Sequence, residues 1–133
     1  MKTSEQTAIQ VAQAFLEAVA GRNLDAAAAL TGEGFQMVVS GGHRFDSLRS
    51  FVGYSVTRQK SVAKHTERFE ALVAGDDGVV VYCFGTMSGA WLDDSRYQDV
   101  RYIDRFLIRG GRIVDMKVWS DMAEFRPPDP PDL

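Results

Sequence analysis

Cysteine is almost missing from this chain. Cys83 is the single one in 133 residues, so no disulfide can close within it. Proline is missing from the first 126 residues, and all four prolines fall from Pro127 to Pro131. Histidine occurs only as His43 and His65. Neither belongs to an HExxH run or a Cys/His cluster, and Asp93-Asp94 reads as a solvated loop, so no metal site is expected. Gly41-Gly42 and Gly110-Gly111 are turn signals rather than a phosphate-binding loop, and no cofactor is implied. The net charge is −3 and no lysine or arginine stripe stands out, which argues against a nucleic-acid surface. No apolar run approaches the roughly 20 residues that cross a bilayer. Met1 to Gln10 is polar and lacks the apolar stretch of a secretory signal, so a cytoplasmic protein is expected. What is present is a hydrophobic fraction of 45% and a charged fraction of 25%. That is the balance of an ordinary folded domain of this length.

The apolar periods then order the chain. Ala8, Ala12, Phe15, Leu16 and Val19 recur on one face of a 3.6-residue period, which predicts a helix from Thr3 to Ala20. Thr3 and Gln6 form a capping box, and Gly21 is the expected stop. Asn23 can cap a short helix from Leu24 to Leu30. Phe35 to Val39 reads as a short strand. Asp46 is the expected cap of a third helix, Ser47 to about Arg58, with Leu48, Phe51, Val52 and Val56 as its stripe. Four long strands follow: Lys64 to Ala74, Val79 to Trp91, Tyr97 to Arg109 and Arg112 to Met122. Asp76-Asp77-Gly78 and Gly110-Gly111 are turns between them. Residues 127–133 read as a proline-rich mobile tail, leaving one domain over residues 1–126. Three N-terminal helices before a mainly antiparallel sheet indicate an α+β fold, with the helices on one face of a curved sheet. The hollow between them forms a cone-shaped pocket of the kind that takes small molecules.

Gly85-Thr86-Met87-Ser88-Gly89-Ala90-Trp91, Asp104-Arg105-Phe106, Gly111-Arg112-Ile113-Val114-Asp115 and the closing Trp119-Ser120-Asp121 carry a resemblance. In these segments, and in element order from Thr3 to about Arg126, the chain resembles the nuclear transport factor two-like superfamily, and within it the SnoaL-like polyketide cyclases. The resemblance implies that an aspartate near the end of the last strand transfers protons. Asp121 stands at that position and is expected to point inward. The Arg-x-Asp pair of limonene epoxide hydrolase is missing from the strand that reads Phe84-Gly85-Thr86, which disfavours epoxide hydrolysis.

Strand alternation places Asp115, Lys117, Trp119 and Asp121 on one face and Val114, Met116 and Val118 on the other. If Asp121 points inward, Lys117 and Trp119 line the pocket with it. The hairpin register decides what joins them. A two-residue Gly110-Gly111 turn sets Asp104 opposite Lys117. A bulge at Gly111 sets Arg105 opposite Asp115 and Arg101 opposite Trp119, placing Arg101, Ile103 and Arg105 on the Asp121 face. The bulged form is the favoured expectation.

The expected catalytic group is Asp121, with His65 and Tyr54 as partners that orient substrate or stabilise negative charge. Trp119, Lys117, Arg101, Tyr102, His43 and Phe15 are the expected ligand-binding residues. Ordinary packing competes with a role at each tyrosine and histidine, and Cys83 reads as a small buried hydrophobe. The expected function is a cofactor-independent acid/base enzyme of cyclase, isomerase or dehydratase type, acting on a small apolar carbonyl-bearing molecule. A non-catalytic ligand-binding or dimerisation module is the alternative. An exposed or arginine-paired Asp121 favours the alternative. Dimerisation is expected in both cases, because helices cover only one sheet face.

Overall fold

The computed structural model describes residues 4–126. The expected capping residue Thr3 and the proline-rich tail lie outside the described residues. Helix α1 spans Glu5–Ala20, and Ser4 caps it by accepting a bond from the Thr7 amide. It buries Ala8, Ala12 and Phe15 and ends at Gly21, as its apolar stripe requires. Helix α2, Leu24–Ala29, is capped by Asn23, whose side chain accepts from the Ala26 amide. Strand β1 runs over Thr31–Val39 and the short β2 over His43–Phe45. Helix α3 covers Leu48–Ser55 and is capped by Ser47, which accepts from the Ser50 amide, rather than by Asp46.

Four long strands follow: β3 Gln59–Ala74, β4 Gly78–Trp91, β5 Arg96–Arg109 and β6 Arg112–Ser120. A single-turn helix α4, Met122–Phe125, replaces the expected end of the last strand. The α+β expectation holds. The helices pack on a curved, unclosed sheet of order β2-β1-β6-β5-β4-β3, antiparallel throughout except where β1 runs parallel to β6. Strands β4 and β5 each start one residue earlier than the sequence suggested, and two others start several residues earlier, β1 by Thr31 to Gly34 and β3 by Gln59 to Ala63. The three-residue β2 was not foreseen. None of these stretches carries a strong two-residue apolar alternation, and pairing to neighbouring strands makes them extended.

Three irregularities set which side chains look inward. In β6 the register passes from Ile108 opposite Ile113 to Leu107 opposite Asp115, so Val114 is an extra residue. In β3, Glu67 is extra between Thr66 and Arg68. In β5 one residue is extra between Tyr97 and Val100, where Gln98 and Asp99 stand against the single Ser88 of β4 and Asp99 takes φ 59°. Each bulge flips the alternation beyond it. The resulting inner rows read across β3, β4, β5 and β6 as Ala71–Val81–Phe106–Met116, Phe69–Cys83–Asp104–Val118 and Thr66–Gly85–Tyr102–Ser120. Phe15 of α1 meets Phe106 edge to face, with ring centroids 5.9 Å apart, and this contact joins helix to sheet at the centre of the core.

Candidate functional site

Beyond that contact the helices and sheet diverge around a cavity of about 750 Å³. Phe15, Leu16 and Val19 of α1, Phe51 and Val52 of α3, and Met87, Trp91, Met116 and Val118 of the sheet give it mostly apolar walls. Gln59, Lys64 and Thr66 of β3 bring polar groups to the same wall, and Tyr54 and Arg58 from the end of α3 also line it.

Behind the β3 wall lies a buried polar cluster. Asp104 is wholly buried, and its Oδ2 accepts a 2.7 Å bond from Lys64 Nζ. Its Oδ1 is buried with no hydrogen-bond partner among the described residues. Burial pushes the Asp104 carboxyl above its ordinary range, and the charge and hydrogen bond of Lys64 pull it part of the way back. The Lys64 ammonium also sits 4.8 Å from the centroid of the Tyr102 ring. The Tyr102 hydroxyl lies 3.2 Å from Thr66 Oγ1 and 3.6 Å from Cys83 Sγ. Burial raises the phenol well above its usual range, and it raises the Cys83 thiol too.

Gly85 makes this arrangement possible. A Cβ there would collide with the His65 carbonyl oxygen and stand 2.9 Å from the Tyr102 hydroxyl. Gly89 plays the same part for Tyr97, whose hydroxyl donates a 2.6 Å bond to Gln59 Oε1. Burial pushes that phenol up to about 12. Two β5 tyrosines thus cross bare stretches of β4 to reach polar side chains of β3.

The structure brings only part of the expected site together. Phe15 and Tyr54 line the cavity. Tyr102 stands behind the wall, 2% exposed, rather than in it. The inward orientation expected of Asp121 is not the one observed. Lys117, Trp119 and Asp121 lie on the outer face of the sheet, where Trp119 is 51% exposed and pairs across from Ile103. The Asp121 carboxylate accepts a 2.5 Å bond from Arg101 Nε, and the arginine side chain is 81% exposed.

The reason is the bulge at Val114. Uninterrupted alternation from the buried Ile113 would turn Asp115, Lys117 and Trp119 inward, and the extra residue turns them out. Arg101, Ile103 and Arg105 do share the Asp121 face, but through a two-residue Gly110-Gly111 turn and this bulge rather than one at Gly111. Arg105 therefore stands opposite Lys117, and Ile103 opposite Trp119. His65 is exposed on the outer face, with Nε2 3.1 Å from Ser88 Oγ. His43 is exposed on β2, its ring 5.3 Å from that of Tyr54, and is not part of the cavity wall.

Lys64, Thr66 and Asp104 were missed as site residues. The one available signal was the Asp-x-Phe of β5, where Asp104 sits two residues from the core residue Phe106 and so shares its buried face. Among the described residues, no group of three or more His, Cys, Asp or Glu side chains is placed to hold a metal ion. No helix among them is long and apolar enough to cross a membrane.

Comparison with known proteins places the fold. No family model matches the chain, and no curated protein matches it in sequence. Solved structures do match in shape. An NTF2-like protein of unknown function from Burkholderia pseudomallei K96243 superposes with TM-score 0.76 at 16% identity, over 90% of this chain and 94% of that one. TerC, co-crystallised with polyporic acid, gives TM-score 0.74 at 15% identity over 90% and 95%. A protein from Jannaschia sp. CCS1, provisionally named a SnoaL-like polyketide cyclase, gives 0.72 at 15% over 96% and 95%. The chain has the NTF2-like fold shared by these proteins.

Proposed function

We propose that the chain binds a small, largely apolar, carbonyl-bearing molecule in this cavity and acts on it by cofactor-independent proton transfer of cyclase or isomerase type. The observation that carries the reading is a lysine on the wall of an apolar hollow, bonded from behind by a wholly buried carboxylate. The pair takes the place that sequence reasoning assigned to Asp121. Moving a proton from Lys64 Nζ to Asp104 Oδ2 along their 2.7 Å bond turns a buried ion pair into two neutral groups. A low-dielectric site lowers the cost of that move. The amine then faces the cavity and takes a proton from a carbon beside the carbonyl. The ammonium it becomes stabilises the enolate and returns the proton at another carbon. The fold-mate TerC was crystallised with polyporic acid, and a ligand of that kind suits a hollow with an ammonium on its wall.

The test is deuterium uptake at the carbons beside the carbonyl of 2-tetralone, followed by proton NMR in heavy water. The native chain should accelerate uptake above buffer, and Lys64→Met should lose about 10²–10⁴ of that acceleration. Tetralone binding with no gain in exchange would sink the proton-transfer reading. It would leave the second one, a non-catalytic binding module, which the arginine-paired Asp121 favours.

The chain is further proposed to self-associate through the outer face of the sheet. Leu72 there is 63% exposed and Trp119 51%, near the stacked rings of Tyr82 and Phe84.

A further inference from the structure

We infer that the cavity wall at Lys64 and Thr66 is a donor-only site, selective for a ligand group that presents acceptor oxygens alone: a carboxylate or the enolate of a 1,3-dicarbonyl. The inference rests on the proposed function and names the chemistry its ligand must show.

Tyr102 sets the direction of the hydrogen bonds at this wall. Its hydroxyl is buried, and the hydrogen-bonding atoms near it are Thr66 Oγ1 at 3.2 Å and Cys83 Sγ at 3.6 Å. A buried hydroxyl proton needs an acceptor, and a thiol sulfur is a poor one. Tyr102 therefore donates to Thr66 Oγ1. That fixes the threonine as acceptor on its buried side. Its own proton faces the Cys83 sulfur, a weak acceptor 3.7 Å away, and is better satisfied by a ligand oxygen in the cavity that Thr66 lines. Lys64 stands two residues earlier on the same strand face. One of its three protons goes to Asp104, and its ammonium also lies over the Tyr102 ring, which leaves a proton for the ligand. In its resting ammonium form, before any proton passes to Asp104, Lys64 has no acceptor to offer, and Thr66 has a lone pair turned to Tyr102. An alcohol could accept from these donors but would leave its own O–H without an acceptor, an ammonium would meet donors with donors alone, and a two-oxygen acid would satisfy both. Tyr102 is thus a positioning residue. It touches no ligand, orients Thr66 and underlies Lys64.

The experiment is calorimetric titration of the full chain with 2-naphthoate, 2-naphthalenemethanol and 2-naphthylmethylamine, which share one apolar body. Naphthoate should bind at least about tenfold tighter than the other two, since a hydrogen bond to a charged group is worth about a factor of ten or more. Thr66→Val should weaken naphthoate about tenfold and the alcohol several-fold less, since a bond to a charged acceptor is the stronger one, while Thr66→Ser restores the native value. Tyr102→Phe should weaken naphthoate in the native background but add nothing in the Thr66→Val background, a non-additivity that a purely structural tyrosine would not produce. Equal affinity for the three probes, no loss in Thr66→Val, or additive losses would overturn the assignment. If tetralone exchange proceeds in that event, only the donor-only wall falls. If no probe binds and no exchange occurs, the proposed function falls with it.

Discussion

Replacing Lys64 with methionine should cost about 3 kcal/mol near pH 8, and almost none of that near pH 4. The magnitude follows from the burial of the pair. Removing one partner of a buried ion pair costs roughly 3–5 kcal/mol, because the other charge is left uncompensated. Asp104 is 0% exposed but the Lys64 side chain is 26% exposed, so the low end applies. The pH dependence follows from the carboxyl. Burial already holds Asp104 above its ordinary value of 3.8, and Lys64 supplies the opposing pull. Without Lys64 the folded chain keeps that proton to higher pH, while the unfolded chain releases it in the ordinary range. The folded form then binds more protons than the unfolded form as pH rises, so stability is present below the unfolded value and is lost above it, at about 1.4 kcal/mol per pH unit. A deficit of about 3 kcal/mol therefore builds over roughly two units. Urea unfolding followed by tryptophan fluorescence, repeated from pH 4 to 8, measures it. The double variant Lys64→Met/Asp104→Leu removes both charges and should lie within about 1 kcal/mol of the native chain. A double variant as damaged as the single one, or a single variant that weakens toward acid, would refute the reasoning.

Three further outcomes are expected. Asp121→Asn should leave tetralone exchange at the native rate and the melting temperature within about 2 °C, because its partner Arg101 is 81% exposed and such surface pairs contribute little. A large loss of exchange in that variant would return the site to the end of β6. Gly85→Ala should be destabilising by more than about 2 kcal/mol in chemical denaturation, since its Cβ would meet the His65 carbonyl and the Tyr102 hydroxyl and neither can move without breaking the β3–β4 ladder. Native-like stability there would mean that the β5 tyrosine does not cross β4 as described. Trp119→Arg should yield a monomer by analytical ultracentrifugation under conditions where the native chain sediments as a dimer, and unchanged sedimentation would remove the outer face from the contact.

Much of the fold was legible because it rests on local rules. The stripe Ala8, Ala12 and Phe15 places α1, Asn23 caps α2, and Gly110-Gly111 turns β5 into β6. Caps shifted by one residue, as from Asp46 to Ser47, because adjacent polar residues compete for the same exposed amides. The site was far less legible. Alternation correctly grouped Lys117, Trp119 and Asp121, and the hairpin reading grouped Arg101, Ile103 and Arg105 with them. Neither could say which way the shared face looks.

By itself, then, the sequence determined the order of helices and strands, the apolar faces that pair them, and the kinship of side chains along each strand. These depend on neighbours a few residues apart. Only the tertiary structure decided which face encloses the cavity. A single extra residue, Val114, reverses β6 beyond Ile113, and a bulge of one residue leaves no distinctive trace in composition. Tertiary structure also made the Lys64–Asp104 pair, whose members are 40 positions apart on strands separated by β4. Lys64 stands opposite Met87 and Asp104 opposite Cys83 on the intervening β4, so their contact is a property of the folded sheet rather than of either segment.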